Sequence, residues 1–221
     1  MITKQYFTTA CAAALMLSCA DTLWAGAITG YTPFPGINSV AGVAILPPAP
    51  ANNDDVAGLS PNDLWVTQKD YIAIGPVDIV FDVDPTGGVT EYSFREGVSN
   101  STGVDWSGYT IQLGFGTGTG FVPSTPGDGL DFDGPLFNSP IDFTVFFPSA
   151  IPTSEDEIVA SGGIHPNGLF SLPYFRFSVD VPDTFSSFTL RQFPTAVPEP
   201  STVLLTALGL AVLVPLARRK R

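Results

Sequence analysis

The sequence predicts an all-β fold, in which an antiparallel β-sandwich occupies residues 28–193. Apolar and polar residues alternate with a period of two in several stretches of this range, as expected of strands with one buried face. The 221 residues include 22 Gly and 21 Pro, which favours short strands joined by turns over long helices. No stretch of residues 28–193 keeps the apolar period of about 3.6 residues that an amphipathic helix requires.

The alternation places the strands in chain order. The first predicted strand is Ser39–Leu46, and a loop rich in Pro, Asn and Asp follows it at 47–55. The later predicted strands are Val77–Asp84, Tyr92–Phe94, Tyr109–Phe115, Phe143–Phe147, Phe175–Val181 and Phe188–Leu190. The glycine-rich stretch 114–120 is predicted to be a hairpin or edge loop rather than a phosphate loop, because no helix follows it. The chain holds 17 Phe, whose bulk suits a core between two sheets.

Residues 1–27 have the three parts of a secretory signal peptide. Lys4 supplies a positive charge, and residues 10–17 form an apolar run that is too short to span a bilayer. Ala25 and Ala27 offer the small side chains that leader peptidase requires. We predict cleavage after Ala27, with cleavage after Ala25 as the alternative. Both cysteines of the chain lie in this segment, so the mature protein is expected to have no disulfide.

The end of the chain has the pattern of a membrane anchor. Residues 201–217 are uncharged and mostly apolar, and as a helix they would span about 25 Å, the lower limit for crossing a bilayer. Four basic residues then close the chain: Arg218, Arg219, Lys220 and Arg221. The positive-inside rule predicts that this basic stop stays in the cytoplasm. Residues 28–193 are thereby expected outside the membrane, which is also the orientation that the signal peptide predicts.

A proline-rich linker, residues 194–200, precedes the apolar segment. It contains Pro198, Glu199 and Pro200, and the two prolines hold the backbone extended so that no helix can continue through them. The motif, the apolar helix and the basic end together resemble the PEP-CTERM sorting signal. That resemblance implies an exosortase, a membrane protease or transpeptidase of exopolysaccharide-producing bacteria, which would cut near the motif. The alternative is a plain C-terminal anchor with a proline-rich linker.

A second resemblance concerns the predicted ectodomain. Residues 100–115 and 128–133 look like parts of the "choice-of-anchor" ectodomains that such sorting tails often carry. The resemblance implies a β-sandwich and adds no activity.

The predicted ectodomain is strongly acidic. Residues 28–197 contain 19 acidic and four basic residues, a balance that repels phosphates and excludes binding to nucleic acid. Asp128, Asp131 and Asp133 place three carboxylates beside glycines and could present oxygen ligands to Ca²⁺. The alternative is a solvated acidic loop without a metal, and the spacing does not fit an EF-hand. No other cofactor is predicted.

The sequence predicts no catalytic residue. His165 is the only histidine, and the Gly, Pro and Asn residues around it predict an exposed turn. One imidazole without a thiol is too little for a Cys–His pair or a zinc site, and no Gly-x-Ser-x-Gly elbow accompanies it. We predict that the protein is not an enzyme. A secreted glycoside hydrolase with paired carboxylates is the less favoured alternative.

These features predict a protein that is exported, anchored in the membrane by its C-terminal helix, and then processed to the cell surface or the extracellular matrix. Leader peptidase and exosortase are its expected processing enzymes. Its expected role is structural or adhesive and linked to exopolysaccharide or biofilm. The alternative is a carbohydrate-binding module, whose exposed aromatic platform would draw on Trp65, Trp106 and Tyr109, although Trp106 is favoured as a core residue.

Overall fold

The computed structural model of the protein describes residues 26–47, 52–54, 58–85, 88–133, 141–143, 146–171 and 175–198. These residues form twelve strands and one 3₁₀ turn at Gly118–Gly120, with no α-helix among them. The strands are β1 (Ala27–Phe34), β2 (Ser39–Ile45), β3 (Asn62–Tyr71), β4 (Val77–Asp84), β5 (Val89–Asn100), β6 (Trp106–Phe115), β7 (Val122–Pro123), β8 (Asp131–Phe132), β9 (Ser149–Ser154), β10 (Glu157–Ser161), β11 (Phe175–Pro182) and β12 (Ser187–Ala196).

The strands are arranged in two sheets. The first sheet has the order β1-β4-β12-β6-β10-β9, with β7 also paired to β6, and the second has the order β2-β3-β5-β11-β8. The pairs are antiparallel except for β3 and β5, which run parallel. Strand β4 lies between them in the chain but belongs to the other sheet, so the chain reverses twice before β5 returns beside β3. The all-β prediction is confirmed, and the second sheet is mixed rather than purely antiparallel.

Large aromatic side chains pack the inner faces of the two sheets against each other. Phe81 of β4 contacts Phe94 of β5 edge to face with 5.6 Å between ring centroids, and Phe94 stacks on Phe177 of β11 at 5.0 Å. The alternation predicted for β4 is confirmed, because its four apolar positions are all buried. Each buried Phe side chain contributes about 1.5–3 kcal/mol, so packing can stabilise the sandwich without a disulfide.

One predicted strand is wrong, and six strands were not predicted. Phe143 and Phe147 lie outside any strand, in a turn where the amide of Phe147 donates to the carbonyl of Phe143 at 2.8 Å. Both rings nevertheless point into the core and contact Phe175. Phe residues at these two positions are therefore buried in this turn, as they would be in a strand. The strands that were not predicted are β1, β3, β7, β8, β9 and β10, of which β7 and β8 have only two residues each. Of these, β1 and β9 form the edges of the first sheet. An edge strand packs on fewer neighbours, so its apolar and polar residues alternate less regularly, as the burial of β1 illustrates.

The ends of the sandwich lie close to the predicted segment boundaries without coinciding with them. Strand β1 begins at Ala27, which pairs with Asp84 and is buried, so the structured domain starts within the predicted signal peptide. Strand β12 continues to Ala196, three residues into the predicted linker. Among the described residues no helix is long and apolar enough to cross a bilayer. The predicted transmembrane segment 201–217 and residues 1–25 lie outside the described residues.

Candidate functional site

A connected group of polar side chains lies in the core between the two sheets. Its members, called the buried network below, are Lys69, Tyr71, Glu96, Tyr109 and Gln192. The first three belong to β3 and β5 of the second sheet, and the last two to β6 and β12 of the first sheet. All five residues are at most 1% exposed. The buried network therefore joins the two sheets through the middle of the sandwich.

Hydrogen bonds link these side chains in a closed arrangement. Lys69 Nζ lies 2.6 Å from Glu96 Oε2 and also donates to Gln192 Oε1. Gln192 Nε2 donates to the other carboxylate oxygen, Glu96 Oε1, at 2.8 Å. The Tyr109 hydroxyl donates to Gln192 Oε1 at 2.8 Å and lies 2.9 Å from the Tyr71 hydroxyl. Each carboxylate oxygen of Glu96 thus contacts a different nitrogen.

A β-bulge in β3 turns Lys69 towards the core. Residues 62–66 follow a period of two, and the phase shifts before Lys69, where the pairing with β5 is irregular. Without this shift the same period would place Lys69 on the outer face. Gly97 of β5 lies opposite the bulge, and a Cβ there would lie 2.5 Å from the Phe170 ring and 2.7 Å from the carbonyl oxygen of Thr67. A side chain at position 97 is therefore incompatible with this geometry.

Burial controls the charge states in the network. It lowers the pKa of Lys69 from 10.5 to about 8, while the Glu96 carboxylate opposes that fall. Burial also raises the pKa of Tyr71 and of Tyr109, so both phenols remain neutral donors at physiological pH. A buried ion pair costs several kcal/mol of desolvation per ion and persists only where further hydrogen bonds satisfy it. Gln192 supplies those bonds, because its Oε1 accepts from Lys69 and its Nε2 donates to Glu96, and the Tyr109 hydroxyl in turn donates to Gln192 Oε1.

Sequence reasoning did not find the buried network. Lys69 and Gln192 are 123 residues apart in the sequence. Glutamine is also absent from the usual sequence motifs for a Cys–His pair, a Ser–His–Asp triad or a metal site. The available signal was local: Lys69 is one of four basic residues between 28 and 197, and it stands between Val66 and Tyr71, which are both buried.

The three predicted Ca²⁺ ligands have different surroundings. Asp128 accepts hydrogen bonds from the amides of Thr125 and Leu130, both at 3.0 Å, and so stabilises its own turn. Asp131 on β8 is half-buried, and burial together with the charge of Glu155 and other carboxylates raises its pKa to about 6. Of the three, Asp133 is the one that joins a converging group of carboxylates within the described part of the chain. Ca²⁺ binding by Asp128, Asp131 and Asp133 together stays a prediction.

The converging group consists of Asp54, Glu91 and Asp133, called the acidic cluster below. One carboxylate oxygen of each residue lies within 4.8 Å of the others. Glu91 and Asp133 are buried, and the Asp54 amide donates to Glu91 Oε2 at 3.0 Å. Burial raises the pKa of Glu91 from 4.5 to about 7, and the nearby charges of Asp54 and Asp133 add to the rise. Hard oxygen ligands of this kind are those that Ca²⁺ prefers.

His165 is buried, and the prediction of an exposed turn is wrong for its side chain. The imidazole packs between the rings of Phe146 and Trp106, with centroid distances of 3.9 and 4.9 Å. Its backbone pairs with that of Trp106 through two hydrogen bonds of 3.0 Å. Burial lowers its pKa, so the ring is neutral at physiological pH. The turn residues that suggested exposure lie on either side of this bridge.

The predicted aromatic platform does not assemble at the surface. Trp106 and Tyr109 are fully buried, which confirms Trp106 as a core residue and removes Tyr109 from any surface site. Trp65 is half-buried, and the guanidinium of Arg95 lies 5.0 Å from its ring centroid. Arg95 is itself paired with Asp63 at 3.0 Å. These three aromatic side chains therefore offer no common face to a glycan.

The chain leaves the sandwich beside the start of β6. Ala196, the last residue of β12, pairs with Trp106, and the amide of Val197 donates to the carbonyl of Asp105 at 2.9 Å. Pro198 is exposed and is the last described residue. The remaining predicted sorting residues, Glu199, Pro200 and the basic stop 218–221, lie outside the described residues.

The comparisons with known proteins concern this same tail. Residues 196–221 match a family model described as the PEP-CTERM protein-sorting motif. No curated protein and no solved structure shows significant similarity to the chain. The resemblance seen in the sequence is confirmed for the tail, while the resemblance of the ectodomain to choice-of-anchor proteins stays a prediction. Residues 196–221 therefore carry the PEP-CTERM sorting motif, the signal by which an exosortase sorts a protein to the outside of the cell.

Proposed function

We propose that this protein is a component of the cell surface or extracellular matrix, with a structural or adhesive role linked to exopolysaccharide and biofilm. The observation that carries the proposal is the position of the sorting motif directly after the last strand. The last described strand ends at Ala196, and Pro198 is exposed. An extended peptide beside a compact domain suits a protease that acts close to the membrane surface.

The steps before that role follow from the two ends of the chain. Leader peptidase removes the signal peptide, and the helix 201–217 holds the protein in the membrane with the basic residues 218–221 in the cytoplasm. Exosortase then cuts near Pro198–Pro200 and frees the sandwich from its anchor. The membrane contact in this sequence of steps is temporary.

The side chains of the sandwich support a role without turnover of a soluble substrate. The buried network is closed to solvent, and the only imidazole of the chain is stacked inside the core. A group that cannot meet a substrate cannot act on it. We infer that the ectodomain binds or supports its surroundings rather than transforming them.

A divalent cation is the small partner that the acidic ectodomain favours. The acidic cluster offers three carboxylates whose mutual repulsion a Ca²⁺ ion would relieve. Titration of the mature protein with Ca²⁺, followed by calorimetry, tests this, with Mg²⁺ as the comparison ion. We expect Glu91→Gln to abolish the binding and Asp128→Asn to leave it. Equal binding by both variants would contradict a site at the acidic cluster.

The sorting step is tested by the mass of the mature protein. We expect the protein from wild-type cells to end near Pro198–Pro200, and the protein from cells without exosortase to keep residues 201–221. Glu199→Ala is expected to reproduce the second result, and Asp183→Ala at the half-buried start of the turn before β12 serves as the matched acidic control. An identical, complete tail in all strains would refute sorting and leave simple anchoring.

The link to exopolysaccharide needs a separate experiment. In cells that sort the protein but make no exopolysaccharide, we expect the processed protein in the medium rather than in the cell-associated matrix. Retention on the cells at wild-type levels would refute that link and leave the sorting step intact.

A further inference from the structure

The side chains of the buried network stand in the arrangement that an amide-exchange reaction requires. An amine, Lys69 Nζ, contacts a carboxamide, Gln192 Oε1, and one carboxylate, Glu96, contacts the nitrogens of both. We propose that Lys69 and Gln192 form an intramolecular isopeptide bond, a covalent cross-link between β3 and β12, with release of ammonia. This proposal concerns the ectodomain alone and does not depend on the sorting step.

The nucleophile is prepared by burial. A lysine attacks a carbonyl carbon only as the neutral amine, and a desolvated ammonium gives up its proton readily. Burial lowers the pKa of Lys69 to about 8. The carboxylate oxygen Glu96 Oε2, 2.6 Å from Nζ, is placed to take the proton. No solvent needs to enter the core for that transfer.

The electrophile is held and polarised by a phenol. The Tyr109 hydroxyl donates to Gln192 Oε1 at 2.8 Å, the oxygen on which negative charge develops when the amine adds to the carbon. Tyr109 is fully buried and its raised pKa keeps the proton on the hydroxyl. In a water-excluded site a single donor of this kind is worth roughly 100-fold in rate.

The same carboxylate, Glu96, is placed to protonate the leaving group. Gln192 Nε2 lies 2.8 Å from Glu96 Oε1, so the proton taken from Nζ can be delivered to Nε2. The bond between Nζ and Cδ of Gln192 forms, and the bond between Cδ and Nε2 breaks. Nζ of the lysine ammonium gives up two protons in turn, Glu96 passes both to Nε2, and that nitrogen leaves as ammonium, the protonated form of ammonia. One amide replaces another, Glu96 is regenerated, and neither an oxidant nor a reductant takes part. Loss of ammonia from the site makes the exchange irreversible in practice.

The cross-link would join the two sheets at a mechanically useful place. It closes a loop of 123 residues, and the predicted mature domain has no cysteine with which to do so. Closing a long loop stabilises a fold mainly by restricting the unfolded chain. Strand β12 is also the last described strand, so a load applied at its end, Ala196, would reach β3 through a covalent bond.

Peptide mapping of the mature protein, purified from the cells that make it, tests the proposal. A linked Lys69 resists trypsin, so we expect a peptide that ends at Arg95, retains Lys69 uncleaved, and is joined to the peptide that begins at Gln192. Its mass should be lower than the sum of the two peptides by one ammonia. Mass alone would not suffice, because succinimide formation at Asn167-Gly168 also releases ammonia.

Variants separate the reaction from a structural ion pair. Glu96→Gln keeps the side-chain shape and removes the base, and we expect no linked peptide. Tyr109→Phe removes one hydroxyl, and we expect the link to form about 100-fold more slowly in a pulse-chase measurement. Glu157→Gln on β10 is the matched control and should be fully linked.

Two results would overturn the proposal. One is complete tryptic cleavage after Lys69 in wild-type protein whose native near-ultraviolet circular dichroism shows that it was folded. That result would leave the buried network as a structural ion pair. The other is a link that forms in Glu96→Gln as fast as in the wild type, which would remove Glu96 as the proton carrier.

Discussion

We expect Glu91 to add stability to the sandwich as the pH falls from 8 to 5, while the buried neutral His165 acts in the opposite direction. Burial raises the pKa of Glu91 from 4.5 to about 7 in the folded protein. Between those two values the folded state binds a proton that the unfolded state does not bind. The free energy of unfolding therefore rises as the pH falls through 7, and the gain is complete near pH 4.5.

The size of the effect follows from the shift in pKa. Each unit is worth about 1.4 kcal/mol, so a rise from 4.5 to about 7 corresponds to about 3 kcal/mol as an upper value. Solvent near the half-buried Asp54 screens part of the effect, which makes about 2 kcal/mol the working figure. In a domain of this size that corresponds to a change in Tm of roughly 4–8 °C.

Thermal unfolding between pH 5 and pH 8, without divalent cations, measures this change. Glu91→Gln mimics the protonated acid at every pH, so we expect it to match the wild type at pH 5 and to exceed it by about 2 kcal/mol at pH 8. The matched control is Asp84→Asn, which removes one charge from an exposed position on β4. A variant that follows the wild-type curve at every pH would refute the reasoning, as would an equal effect of Asp84→Asn.

Other predictions concern the bulge and the start of the mature chain. Gly97→Ala forces a Cβ against backbone and ring atoms, so we expect urea unfolding to show a free energy of unfolding lower by about 1–3 kcal/mol. Gly75 has open space around it, so Gly75→Ala should change the free energy of unfolding by less than about 1 kcal/mol. Similar unfolding curves for both variants would show that β5 tolerates the side chain. The amide of Ile28 donates to the Tyr92 hydroxyl at 2.8 Å in a buried position. Cleavage after Ala27 would place a charged ammonium terminus there, which is unfavourable. We therefore expect Edman sequencing to show cleavage after Ala25 and not after Ala27. Tyr92→Phe removes that acceptor and should cost about 1 kcal/mol in the same urea assay; an unchanged midpoint would mean that the amide finds another partner.

Six of the twelve strands could be predicted from local pattern. Strand β4 coincides with its predicted limits, β2 ends one residue before its predicted limit, and β5, β6, β11 and β12 contain the stretches predicted for them, because large apolar side chains recur at every second position there. Strand β3 was not predicted, since its bulge breaks the period of two. The turn at Phe143–Phe147 was mistaken for a strand because two buried rings four residues apart fit either structure.

The candidate site could be predicted only in part. Asp133 was named from its acidic surroundings, but Asp54 and Glu91 come from distant parts of the chain and meet it only through the pairing of strands. His165 was expected at the surface because turn residues flank it, yet its backbone bridge to Trp106 directs the ring inward. Residue type and spacing do not indicate whether a side chain in such a backbone bridge faces the core or the solvent.

The sequence by itself determined how the protein is sorted, because the sorting motif is a contiguous stretch of 26 residues, 196–221, and it predicted the signal peptide and the acidic ectodomain that precede this tail. Such signals act on an extended chain, so their order and composition suffice. Only the tertiary structure decided which groups meet inside the sandwich. Lys69, Glu96 and Gln192 come together because a bulge shifts β3, β5 returns beside it in parallel, and β12 crosses the opposite sheet. Contacts between residues so far apart depend on the packing of whole sheets, which no local pattern records.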